Sequence, residues 1–179
     1  MIKEIRTRRS TRDYNGKPID DDKILQLIES ARLAPSGSNT QPWNFIIVKS
    51  DETKEKIAII DGNQMWMKRA PVFIVCVADI RCRIEGEADI FLDEESSLFD
   101  LKRIIRDTAI AIEHILLEAE SMGLASCWTG LFIQEDIRPI LGIPEDKFVA
   151  GVVTIGYSDE KGEQAPRRPI ESMIRYEHW

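Results

Sequence analysis

Residues 36–45 read SGSNTQPWNF, and the apolar residues IIV of 46–48 follow directly. Small polar groups at the entry and a Pro-Trp pair at the exit are an odd combination. A buried strand does not need the first, and a surface loop does not usually need the second. The stretch reads as a loop built to hold something, joined to a buried strand over residues 44–49.

Upstream of it, Asp20 stands as an N-cap, with Asp21 and Asp22 in a first helical turn, where carboxylates suit the helix dipole. Ile24, Leu27, Ile28 and Ala31 follow at i, i+3, i+4 and i+7, so an amphipathic helix leads into the loop. Pro35 and Gly37 stop it. Downstream, residues 51–60 predict a short helix, and PVFIVCVAD over 71–79 predicts a strongly apolar strand. Residues 81–97 are acidic and irregular and suit a flap. Residues 98–122 predict the longest helix. Within it, Ala109 to Leu117 (AIAIEHILL) is apolar nearly all round, which calls for cover on more than one side and makes a subunit interface the expectation. Gly123 closes that helix as its C′ residue. SCWTG, 126–130, predicts a short strand or turn, and 148–157 the last strand. The tail QAPRRPIESMIRYEHW carries too much proline and charge for a core and is expected to wrap a surface. The fold class is α+β: a central mixed sheet flanked by helices, with a long interface helix, in one domain over residues 1–179.

The 179 residues suit one domain with a sizeable core, and 43% hydrophobic with 31% charged residues is ordinary for a globular chain. A net charge of −7 argues against bulk attraction to nucleic acid or to an anionic membrane. No apolar run approaches the roughly 18 residues that a membrane span needs. The N-terminal MIKEIRTRRS lacks the apolar centre of a secretory signal. Cys76, Cys82 and Cys127 form no CxxC and cannot all pair, so a reduced, cytoplasmic chain is expected, with Cys76 and Cys127 in the core.

Two basic clusters lie at opposite ends of this acidic chain. In Arg8-Arg9-Ser10-Thr11-Arg12, an extended backbone sends Arg8, Ser10 and Arg12 to one side. Two guanidinium forks and a hydroxyl suit a phosphate, although arginines at this spacing also make a solvated basic face. Arg167 and Arg168 stand between Pro166 and Pro169, which stiffen the chain and aim the arginines; the bland reading is a solubilising tail. A shared anion would explain both clusters. GxGxxG and GxxxxGK[ST] are absent. His114 and His178 have neither triad nor metal-ligand context, and His114, Trp43 and Trp66 read as packing residues.

RRSTRDY, LAPSGSNTQPWNFIIV, MGLASCWTG and the RRP near the C-terminus, taken in this order and spacing, resemble the nitroreductase family of flavoproteins. The resemblance runs over nearly the whole chain. It implies an α+β homodimer that holds FMN at the dimer interface and passes electrons from NADH or NADPH to a nitroaromatic, a quinone or a similar small acceptor. It implies that Arg8, Ser10 and Arg12, with Arg9 alongside, bind the phosphate, ribityl chain and pyrimidine edge. Pro35, Ser36, Gly37 and Asn39 would reach the flavin from the other subunit. Trp128, Thr129 and Gly130 would lie along the ring, and Arg168, with Arg167, would return to the phosphate. No residue is expected as a catalytic acid or nucleophile and none as a metal ligand, since the flavin performs the chemistry. If one ring face serves donor and acceptor in turn, turnover is ping-pong. The alternative is a flavin-binding storage or sensor protein without turnover, because Trp128 is bulky where a smaller residue is expected. The chain is short for the family. Its flap has glutamates but neither Tyr nor Lys, which argues against the dehalogenating branch.

Overall fold

The computed structural model describes residues 1–86 and 89–179. Its centre is a sheet of β1 (Trp43–Val48), β2 (Val72–Asp79), β3 (Ala125–Thr129) and β4 (Lys147–Gly156) in the order β1-β2-β4-β3. The apolar run of β2 is explained by its place: it is an inner strand with helices on both faces, and Val72 through Ala78 are buried. On one face, α2 (Asp21–Arg32) and α4 (Phe99–Ser121) press Leu27, Ala31, Ala111, Ile112 and Ile115 onto Ile74, Cys76, Val153 and Ile155. On the other, Ile57 of α3 (Asp51–Ile60) and Ile137 of α5 (Gln134–Leu141) pack with Phe73, Val75 and Val152.

Each neighbouring pair of strands is antiparallel. Among the described residues the one parallel contact is an isolated bridge between Ser10 and Ser126, so the sheet is antiparallel and not mixed as expected, with the N-terminal segment lying beside β3. The loop exit behaves as its sequence suggests, with Pro42 and Trp43 buried and Trp43 starting β1. Asp20 takes the N-cap position of α2, but its side chain caps nothing; its carbonyl accepts the first helical N–H groups instead. At the end of α4, Gly123 adopts φ 71°, and the Leu124 N–H reaches Ala119 O at 2.8 Å. That is a Schellman closure, and it requires the left-handed residue that glycine supplies.

Two expectations need correcting. The apolar stretch of α4 is largely covered by its own chain. Ala111, Ile112 and Ile115 are fully buried between α2 and the sheet, and it is Ile110, 40% exposed, that faces outward. The residues 81–97 are not a loose flap along their length. Leu92 is fully buried, its N–H donates to Glu145 O at 3.0 Å, and Arg138 Nη1 donates to its carbonyl at 2.6 Å. Glu94 accepts the Gln134 N–H at 2.8 Å, so this part is lashed to α5. Glu87 and Ala88 of the expected flap lie outside the described residues.

The start of the tail clasps the N-terminal segment. Arg9 Nη1 meets Glu160 Oε2 at 3.0 Å, and Gln164 Nε2 donates to the carbonyls of Ile5 and Arg8. From residue 165 onward every side chain is exposed, including Ile170, Met173, Tyr176 and Trp179.

Candidate functional site

The RRSTR segment is held extended by the Thr11 N–H, which donates to Ser126 O at 2.9 Å on the edge of β3. The side chains alternate accordingly: Thr11 is buried, while Ser10 and Arg12 are exposed and Arg8 is half-buried. These three side chains leave the segment on one side, near Cys127 of β3. The Cys127 thiol beneath them is pushed up by burial, and the Arg12 guanidinium, the Ser10 hydroxyl and, more weakly, Arg8 pull it back. Arg9 stands apart, because both its bonds run to Glu160 of the tail.

Around this notch lie residues that the motif reading passed over. Arg12 stacks over the Trp66 ring at 5.8 Å, and Trp66 in turn stacks on Tyr14, so this tryptophan supports a cation and is more than filler. The buried carboxylate of Asp61 accepts the Leu131 N–H at 2.5 Å and a Gln64 amide at 3.2 Å. With Gly62 at φ 73° and Asn63 at φ 55°, the turn after α3 is thereby fastened to the chain beyond β3. The Asp-Gly-Asn run carried this turn signal in the sequence. Gly130 sits between these parts. A Cβ there would meet nothing within 4 Å, so the bare backbone is not required by the chain's own packing. Thr129 is buried and bonded to Val152 O at 3.3 Å. Trp128 lies flat on β4: a Cβ on Gly151 would sit 1.9 Å from its Nε1.

The loop of residues 36–39 occupies a second patch. Ser38, Asn39 and Gln41 all have positive φ, at 57°, 55° and 48°, and Ser36 Oγ accepts the Gln41 N–H at 2.9 Å. The Gly37 N–H donates to Asp107 of α4 at 3.1 Å, whereas Arg8 faces Glu113 of the same helix at 3.8 Å. Six residues of helix separate these two anchors, about 9 Å of rise. Within one chain the loop and the cationic notch are therefore distinct. Pro35 is exposed at the loop's start. Arg167 donates to Ala165 O, Arg168 is exposed, and among the described residues neither touches Arg8, Ser10 or Arg12. His114 is packed, with Nδ1–H donating to Ser30 O at 3.0 Å. Among the described residues no cluster of His, Cys, Asp and Glu is arranged to hold a metal, and no helix is long and apolar enough to cross a membrane.

Fold and basic segment define the class: an α+β protein whose arginine-rich N-terminal segment lies beside the edge of its sheet. The sequence pattern described as the nitroreductase family matches residues 5–157, and the chain belongs to that family. A protein of Archaeoglobus fulgidus called a putative NADH dehydrogenase/NAD(P)H nitroreductase is 34% identical over 99% of this chain and 98% of its own length. The FMN reductase [NAD(P)H] of Bacillus subtilis is 29% identical, covering 99% of this chain and 73% of the reductase. Among solved structures, the NADPH:FMN oxidoreductase of Vibrio harveyi complexed with NAD+ superimposes with a TM-score of 0.86 at 25% identity, over 98% of this chain and 76% of that one.

Proposed function

We propose that this chain is an FMN-dependent NAD(P)H oxidoreductase that reduces a small acceptor such as a nitroaromatic or a quinone. The observation that carries the reading is the placement of Arg8, Ser10 and Arg12 on one side of the segment beside β3, all within electrostatic reach of Cys127. A phosphate monoester brings about −1.5 to −2 charges and three acceptor oxygens, which two guanidinium groups and a hydroxyl answer. The names of the Bacillus and Vibrio relatives point the same way, to flavin and nicotinamide. Bound FMN supplies the redox chemistry, so the protein needs neither nucleophile nor general acid.

The residues of the chain then have separable tasks. Arg8 and Ser10 hold the phosphate, and Arg12, steadied by Trp66, places a cation where the reduced ring gains charge. Gly130 lets backbone come close to the ring. The loop from Pro35 to Asn39 belongs to the site of a second copy, since in its own chain it is anchored apart from the notch. Arg167 and Arg168 reach a phosphate the same way, through a tail that leaves its own surface after Gln164. The unpaired thiols of Cys76, Cys82 and Cys127 suit a cytoplasmic setting.

Storage of flavin without turnover would need the ring face blocked by Trp128. The indole rests on Gly151 of β4, which supports the reading of an enzyme. The test is direct. The purified protein is yellow, binds one FMN per chain and bleaches when mixed anaerobically with NADH or NADPH. A colourless preparation that also fails to take up added FMN overturns the proposal. Parallel double-reciprocal lines with NAD(P)H and a quinone are expected for ping-pong turnover, and intersecting lines would exclude it.

A further inference from the structure

Arg83 and Asp107 lie outside every motif that marks the flavin site, and both are buried, with side chains 6% and 15% exposed. Arg83 Nη2 donates to Asp107 Oδ2 at 3.0 Å and to the carbonyl of Gly37 at 2.9 Å. The Gly37 N–H donates to the same Asp107 oxygen at 3.1 Å. One ion pair thus grips both polar groups of a single loop residue. A Cβ on Gly37 would lie 2.8 Å from Arg83 Nη2, so a larger residue there displaces the guanidinium.

The residues just after Gly37 need such a grip. Ser38, Asn39 and Gln41 hold left-handed backbone that side-chain-bearing residues adopt at a cost, and that shape persists only where the surroundings impose it. The Ser36–Gln41 bond supports the loop from within. Support from outside comes from two firm elements, α4 through Asp107 and the turn Ile80–Cys82 at the end of β2 through Arg83. The neighbouring Cys82 thiol donates to Asp79 O at 3.1 Å, which ties that turn to β2. Arg83 Nε is buried without a hydrogen-bond partner among the described residues, as is Thr108 Oγ1. An unpaired buried donor is costly, so this arginine is not where stability alone would put it.

We propose that Arg83 and Asp107 are positioning residues that hold the loop of residues 36–41 in the strained shape that meets the flavin, without touching the flavin themselves. This rests on the FMN reading above. The test compares Arg83→Lys, Asp107→Asn and Gly37→Ala with Asp146→Asn. The last weakens the Arg81–Asp146 pair, 29% and 18% exposed, which ties the same turn to the chain before β4 and not to the loop. Melting temperature, FMN dissociation constant and FMN release rate are measured on each, well below the melting point. Arg83→Lys and Asp107→Asn raise the dissociation constant about tenfold or more and speed release, as loss of a charge-assisted positioning bond should. Asp146→Asn lowers the melting temperature and leaves FMN affinity at the wild-type value. Variants at 83 and 107 that melt lower but bind FMN like the wild type overturn the proposal. If those two do not fold, Gly37→Ala carries the same expectation, because its Cβ pushes Arg83 Nη2 off the loop, and wild-type FMN affinity in it overturns the clamp. A wild-type chain that binds no FMN overturns the functional reading, and the clamp's role falls with it.

Discussion

Arg8, Arg9 and Arg12 share one short segment but have different surroundings, and mutations should separate them. Arg8 and Arg12 face the notch over Cys127, whereas Arg9 is bonded to Glu160. Arg8→Ala is expected to weaken FMN binding by about 1.5–3 kcal/mol, the range for a hydrogen bond to a charged group, and Arg12→Ala should act in the same direction. Arg9→Ala should loosen the tail with little effect on FMN. Arg106, whose guanidinium folds back onto Lys102 O of its own helix, is the control for bulk charge. Equal losses in all four variants, read by flavin fluorescence titration, would show that net charge and not a site binds the cofactor. A second residue-scale expectation concerns acid. Burial alone would raise the Asp146 carboxyl, but hydrogen bonds from Arg81 and Lys147 outweigh it and hold the group below the ordinary 3.8. A depressed carboxyl contributes stability above its unfolded value and loses it as pH falls through the folded one. The melting-temperature gap between the wild type and Asp146→Asn should be widest above about pH 5 and close in stronger acid. A gap that grows on acidification would reverse the assignment.

At the scale of elements, the Schellman closure of α4 gives a clean test. Gly123 at φ 71° has open space where a Cβ would be, so Gly123→Ala isolates backbone strain from packing. It should cost about 1–2 kcal/mol, measurable as a lower melting temperature with unchanged FMN affinity. That closure, the strands and the amphipathic α2 were legible because period and punctuation are local signals. Alternation along RRSTR was legible as well, since Ser10 bridges Ser126, Thr11 is buried and Ser10 and Arg12 are exposed. Other features were hidden for physical reasons. Nothing in Asp61 announces that its carboxylate will meet Leu131 N–H some seventy residues on. The ion pair on Gly37 joins three segments distant in sequence. In α4 the apolar count misled, since a run such as AIAIEHILL looks uncovered until α2 and the sheet are placed around Ile112 and Ile115. The apparent looseness of residues 81–97 came from their composition, and composition does not report that Arg138 will bind the carbonyl of Leu92.

The whole molecule, taken as one chain, leaves large apolar side chains exposed, and a proposed second copy would cover them. Ile110 on α4, Ile2 and Ile5 near α1 (Lys3–Thr7), and Leu33 after α2 are exposed at 40%, 57%, 49% and 64%. Ile2, Leu33, His114 and Leu117 line an open hollow on this side. The tail adds Ile170, Met173, Tyr176 and Trp179, all exposed. Patches of this kind mark interaction sites, and an obligate homodimer covering them would bury more than ~2,000 Å². The variant that tests it must be chosen from the outward side of the helix. Ile112 is fully buried in its own core, so Ile112→Asp buries an unpaired charge and should unfold the chain whatever its partner. Ile110→Asp is different. In a monomer it is a surface change worth within about 0.5 kcal/mol, whereas under a dimer interface it strands a carboxylate in an apolar contact. Ile110→Asp should therefore shift the protein to a folded monomer in sedimentation and, because the loop at Gly37 and the notch at Arg8 are apart within one chain, release FMN in the same step. A variant that sediments as a monomer and keeps wild-type FMN affinity would show that one chain completes the site alone. One that remains dimeric with flavin bound would place the interface elsewhere than on this face of α4.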